Sequence, residues 1–248
     1  LDNYLEMEGL VYKVTFKQSE NSTSMPRLNY DRMVQNITES PDLLQKIVTP
    51  DDYWDHINAG NGIYRYTNLD NKDVYFNENI QRLIQNYRSS FLQLGLQNLY
   101  SSAEDGKTKT IEILQMMDDY FPQEVIPTTD AELDIQIGRI YKEAGKPEVL
   151  LDRLKSIQKR KDVSLETKMY IGQIYMNDYQ NYDLAIEHYE KLFNEYPYIP
   201  DFLYILVQAY AKAERRSEAI EVLEVWIRSH PNDSQAIDWL SILAPSVQ

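Results

Sequence analysis

A chain of 248 residues with 43% apolar residues holds enough hydrophobic material for a sizeable core, in one elongated domain or in a larger and a smaller one. Its formal net charge of −14 argues against binding nucleic acid by phosphate neutralisation and against an anionic membrane surface. The absence of cysteine excludes disulfides, thiolate zinc sites and thiol catalysis, and no stretch approaches the roughly 18 consecutive apolar residues of a membrane span.

The chain opens on LDNYLEMEGLVYK, without an initiator Met, a basic n-region or an apolar h-region, and so reads as a piece of a longer protein rather than as a signal peptide. Alternation in GLVYKVTFK predicts one strand over Leu10 to Lys17, bounded by Gly9 and by QSENSTS. That strand needs an edge to pair with, either a short second strand at 62–68 (GIYRYTN) or a surface outside this segment. SPDLLQKIV and TPDDYWDHI read as short helical turns with Pro at the first helical position. Ile80, Leu83, Ile84, Tyr87, Phe91 and Leu94 then recur at spacings of three and four, the mark of a long amphipathic helix. Residues 1–76 are therefore expected to form an N-terminal mixed strand and short-helix region, and 77–248 a helical one.

A recurring frame organises the second part. Gly172, Tyr175, Ala185, Tyr189 and Pro197 are matched downstream by Val207, Tyr210, Ala219, Leu223 and Pro231, with Ala and Pro twelve residues apart both times. Upstream, Gly138, Tyr141 and Gly145 repeat the first half; Tyr141 to Tyr175 is 34 residues and Tyr175 to Tyr210 is 35. A weaker copy precedes them, with Leu94, Gly95, Leu114, Met117 and Pro122. The hairpin ending near 163 lacks the small Ala, with Leu151 there, and the terminal Pro, with Val163. The segment after Pro231 reads as an end helix with Asn232 or Asp233 as N-cap.

The period and residue types resemble the tetratricopeptide repeat, in which a small residue on a first helix admits a partner and an aromatic one fills the gap one turn on. The fold class this implies is mainly α: helical hairpins stacked in a right-handed superhelix with a C-terminal capping helix, beside a smaller N-terminal region containing one or two short strands.

A second resemblance spans the whole chain on short motifs. Asp2, Tyr4, Leu5, Glu8, Gly9, Leu10 and Tyr12, then DVYFNEN at 73–79, then Asn86, Tyr87, Arg88 and Phe91 are similar to the soluble tail of bacterial polytopic membrane proteins related to protein O-mannosyltransferases. Asn77 stands where that family usually carries Asp. The resemblance implies an extracytoplasmic, periplasmic-side domain of a membrane glycosyltransferase that presents or selects acceptor protein or docks on the membrane region. The catalytic acids of such enzymes lie in membrane-region loops, so this segment is expected not to be an enzyme. The alternative is a free-standing, cytoplasmic repeat scaffold or adaptor.

Nothing in the residues contradicts a non-catalytic reading. His56, His188 and His230 lack ligand spacing and read as surface or helix-end residues, so neither metal nor cofactor is expected. Asp51 and Asp52 beside Tyr53 and Trp54 could suggest a sugar site; helix N-terminal acids with a buried Trp behind them are the preferred reading. Asp118 and Asp119 read as part of a solvated helix face. The expected partner is a protein or peptide, not nucleic acid, or the membrane region of the parent chain, with no membrane insertion by this segment.

The face built from successive first helices is where a partner would sit. Alignment on Gly138, Gly172 and Val207 places Ile135, Arg139 and Lys142, then Met169, Gln173, Met176 and Asn177, then Tyr204, Gln208 and Lys212 along it. Arg139, Lys142, Gln173, Asn177, Tyr204, Gln208 and Lys212 are the candidate binding residues, a mixture suited to an extended peptide and unlike the Lys/Asn/Arg set that clamps a C-terminal carboxylate.

Overall fold

The computed structural model of the protein describes residues 5–7, 12–14, 27–39, 49–58, 66 and 68–244. The chain separates into two compact units, 1–159 and 160–248, so the expected boundary after residue 76 falls inside the first of them.

The first unit begins with three short strands: β1 (Leu5–Met7), β2 (Tyr12–Val14) and β3 (Arg27–Leu28). Their order is β2-β1-β3; β1 pairs antiparallel with β2, with Glu6 opposite Lys13, and parallel with β3, with Glu6 opposite Arg27. The strand expected over 10–17 is thus described only at Tyr12–Val14, and its partner is the segment just before it in sequence. Of the stretch 62–68, Tyr66 and Asn68 are described and neither lies in a strand. The helical turn expected at 40–48 lies outside the described residues.

Helix α1 (Tyr30–Met33) runs into a π-helical turn at Val34–Thr38, and α2 spans Pro50–Asn58. At the start of α2, Asp52 Oδ2 accepts from Thr49 N at 2.9 Å and from Thr49 Oγ1 at 2.8 Å, while Asp52 N donates back to Thr49 Oγ1 at 3.2 Å. This reciprocal cap accounts for the acidic residue. Trp54 is not buried behind it: the indole is 58% exposed.

Two helical hairpins follow, α3 (Glu78–Leu99) with α4 (Gly106–Tyr120), and α5 (Ala131–Ala144) with α6 (Pro147–Ile157). The N-terminal segment is fastened to the first by aromatic side chains. Tyr66 stacks on Tyr120 at 4.3 Å between centroids and donates through its hydroxyl to Ile37 O at 2.9 Å. Tyr30 donates to Asn98 Oδ1 at 2.9 Å. Met7, Met33 and Ile37 join Ile84, Phe91, Leu114 and Phe121 in one core, which is why the region before residue 77 belongs to this unit.

Buried charge also organises the first unit. Arg88 is wholly buried and donates to the Phe121 and Ile126 carbonyls, tying the end of α4 to α3. Burial lowers its pKa to about 10. Arg153 on α6 reaches Asp134 on α5 and Asp118 on α4, and Asp118 also accepts from Tyr141 at 2.9 Å. Asp118 therefore belongs to an interhelix ion-pair network, while Asp119 is exposed. Asn77 caps α3 by accepting from Ile80 N at 3.0 Å, a role open equally to Asp.

The second unit contains α7 (Leu165–Gln173), which continues as a π-helical turn at Ile174–Asp178, then α8 (Tyr182–Glu195), α9 (Pro200–Lys212), α10 (Arg216–Ser229) and α11 (Ser234–Leu243). Ser164, Asn181 and Asp233 cap α7, α8 and α11, and Pro200 opens α9.

The turn between paired helices makes the repeat frame exact in three hairpins. Gly145, Gln180 and Glu214 all take left-handed backbone, at φ 108°, 50° and 60°. The next N–H closes back on the tyrosine carbonyl in each: Lys146 on Tyr141, Asn181 on Tyr175 and Arg215 on Tyr210, at 2.8, 2.9 and 2.9 Å. This is the geometry of a helix C-terminus that Gly favours, and two of the three turns adopt it without Gly. From Tyr to the left-handed residue is four residues in the outer two hairpins and five in the middle one. The extra residue is absorbed where Tyr179 N bonds Ile174 O, five residues back. That insertion is the physical source of the 35-residue interval.

Counted from the turn, the same positions are buried throughout. Five residues on stand Leu150, Ala185 and Ala219; nine on stand Leu154, Tyr189 and Leu223; all six are 0% exposed. The small-residue position of the hairpin ending near 163 is thus Leu150 rather than Leu151, and Asp162 rather than Val163 replaces the terminal Pro. Gly138 faces Leu150, and Gly172 faces the Tyr189 ring, where an added Cβ would lie 2.3 Å from Cζ.

Candidate protein-interaction face

Arg139 and Lys142 lie in the first unit and the other five candidate residues in the second. Both are half-buried on α5, and Ile135, expected beside them, is buried at 1% exposure. The α5 contribution to an open face is therefore smaller than the alignment implies.

The second unit presents Gln173 and Asn177 from α7 and its π-helical extension, and Gln208 and Lys212 from α9, all exposed. Met176, expected on the same face, is buried, and Met169 is half-buried. The widened π-helical turn carries Asn177 and Asp178 outward while Ile174, Tyr175 and Met176 remain inside. A one-residue insertion thus changes which side chains of α7 reach the surface.

Tyr204 has a different role from its neighbours on this face. Its hydroxyl donates to Asp233 at 2.7 Å, and its ring lies 5.7 Å from the Trp239 ring. Burial, then the Asp233 carboxylate, push its hydroxyl up to about 12. Asp233 also accepts from Trp226 Nε1 at 2.8 Å and caps α11 through Ala236 N. Burial opposes ionisation of Asp233, but these donors outweigh it and hold the carboxyl below its usual range. Tyr204 is therefore a joint between α9, α10 and α11, which composition and spacing did not reveal.

His188 departs from expectation in the same way. It is buried in the middle of α8, and its Nε2 lies 2.7 Å from Lys168 O. The carbonyl can only accept, so the ring donates to it as a bridge between α8 and α7. His230 ends α10, stacked on Trp226 at 3.8 Å. The side chain of His56 lies outside the described residues.

An apolar cleft of about 310 Å³ opens between α9 and α11, with Gln208, Ala211 and Lys212 on one wall and Trp239, Ile242 and Leu243 on the other. It extends the surface formed by Gln208 and Lys212 and was not anticipated, because α11 reads in sequence as a solvating cap. Among the described residues, no group of three or more His, Asp or Glu could hold a metal ion, and no helix is long and apolar enough to cross a membrane.

No curated protein matches the chain. Residues 178–238, which run from the end of the π-helical turn into α11, match the family model of the tetratricopeptide repeat, a repeat that serves as a protein–protein interaction scaffold.

Proposed function

We propose that the chain is a non-catalytic interaction domain that takes an extended segment of a partner protein across the first helices of its second unit. The observation that carries this reading is the set of exposed polar side chains Gln173, Asn177, Gln208 and Lys212 on helices whose other faces are committed to packing, within and beside the stretch that matches the repeat. Stacked repeats use such faces for recognition. A photoreactive residue placed at Gln173 or Gln208 in the full chain, in its own cells, should crosslink the same protein from both positions. Crosslinks no stronger than those from exposed Leu83 on α3 would refute the reading.

The proposal extends to context. The motif set from Asp2 to Tyr12, at 73–79 and from Asn86 to Phe91 supports placing this domain as the periplasmic tail of a bacterial O-mannosyltransferase-like membrane glycosyltransferase, its hairpins stacked in a right-handed superhelix. There it would select acceptor protein or dock on the membrane region. The full-length gene decides this: a parent without a run of membrane helices before Leu1 would leave the free-standing adaptor as the better account.

A further inference from the structure

Helix α11 carries the face of a hairpin's first helix, and among the described residues no second helix covers it. One 34-residue repeat separates Leu203, Leu206, Val207 and Tyr210 on α9 from Ile237, Leu240, Ser241 and Ala244. The α9 set is buried, at 3% exposure or less, because α9 lies between α8 and α10. On α11 the same positions stand on one face, at spacings of three and four, with α10 packed on one side only. Ile237 is 43% exposed, Leu240 half-buried, and Ser241 and Ala244 exposed.

The chemistry of this face fits a second copy of the same chain. Ser241 stands at the position of Gly138, Gly172 and Val207, where a hairpin admits its partner helix. In an antiparallel pair of α11 helices centred between Leu240 and Ser241, Leu240 of each copy meets Ser241 of the other, and Ile237 meets Ala244. Every large side chain then faces a small one, the alternation that lets two helices interdigitate. The same pairing sets Asp238 opposite Leu243, whose carbonyl accepts from Nε of exposed Arg216. A carboxylate of one copy and a guanidinium of the other thus meet at both ends of the contact. Asp238 is also the one formal charge between Ser234 and Ala244, so two chains of net charge −14 meet here with little local repulsion.

We propose that two copies of the chain associate through α11, antiparallel about a two-fold axis between Leu240 and Ser241. The ten residues of α11 span about 15 Å, and two such helices bury roughly half of the ~800 Å² that each partner contributes to a standard stable interface. The dimer is therefore weak. This inference stands apart from the interaction-domain reading, whose exposed set lies on α7 and α9.

Sedimentation velocity of the full chain tests it. A reversible monomer–dimer equilibrium is expected, and it should tighten several-fold as salt rises from about 50 to 500 mM, because screening relieves the repulsion between two acidic chains. Ile237→Asn and Ser241→Gln are neutral changes at exposed positions; each should leave the melting temperature unchanged and weaken the dimer about tenfold or more. Asp238→Arg should weaken it several-fold although it lowers the net charge, and adding Arg216→Asp should restore it. A chain that stays monomeric at about 500 µM in 500 mM salt would overturn the proposal. So would failure of the charge exchange to restore association, or a dimer that ignores Ile237→Asn and Ser241→Gln but is dispersed by Ile242→Asp, which would place the contact in the cleft beside α9 instead.

Discussion

The crossing of α7 and α8 gives the most demanding check on the packing described above. Gly172 faces the Tyr189 ring so closely that a Cβ would stand 2.3 Å from Cζ, well inside the 3.4–4 Å of ordinary contact. The equivalent crossing of α9 and α10 carries Val207 with Ala219 and Leu223, whereas α7 and α8 carry Gly172 with Ala185 and Tyr189. Volume has moved from one helix to the other. Gly172→Val alone should cost about 3 kcal/mol, at the upper end of overpacking, because a ring must be displaced. Tyr189→Leu alone should cost roughly 2–3 kcal/mol, from a void and from loss of the hydroxyl bond to Met169 O at 3.1 Å. The double variant recreates the Val, Ala and Leu set of the neighbouring hairpin and should cost well under the sum, with a coupling of about 2 kcal/mol or more. Urea unfolding followed by tryptophan fluorescence reads this directly once exposed Trp54 is replaced by Phe, leaving Trp226 and Trp239 to report on the second unit. Costs that add to within about 0.5 kcal/mol would refute the compensation argument.

Three further outcomes are expected. Arg153→Ala should destabilise the first unit by about 3–5 kcal/mol in thermal unfolding, because Asp134 is left buried without its cation. Gln180→Gly and Glu214→Gly should each raise stability in chemical denaturation by about 0.5–1 kcal/mol, since both positions are left-handed, while Gly145→Ala should lower it by a similar amount. Burial holds His188 below its ordinary range, although its bond to Lys168 O opposes this. Below the ordinary histidine value of about 6.5 the unfolded chain takes up a proton that the folded one refuses, so stability falls as pH drops from there toward the folded value. His188→Gln should flatten that part of the stability–pH curve; an unchanged slope would show that the ring titrates freely.

The repeat frame was legible in the sequence because it is local. Helices of one hairpin are neighbours along the chain, so fixed offsets from a turn decide which side chains meet, and Gly172, Ala185, Tyr189 and Pro197 carried that information without any distant partner. Even the π-helical insertion left a trace, as an interval of 35 rather than 34, but only the backbone bond from Tyr179 to Ile174 explained it. What tertiary structure alone decided was the fate of polar and aromatic residues whose partners lie far away. Asp118 reads as part of a solvated helix face until α4, α5 and α6 bring it together with Arg153 and Asp134. Tyr66, stacked on Tyr120, and Tyr30, bonded to Asn98, tie the N-terminal segment to its unit across 54 and 68 residues, which no periodicity records. The cleft beside Lys212 exists only because Tyr204 and Asp233 set α11 against α9. Helical periodicity reports which face of one helix is apolar; which surface then covers that face depends on contacts between elements, and those are properties of the folded chain.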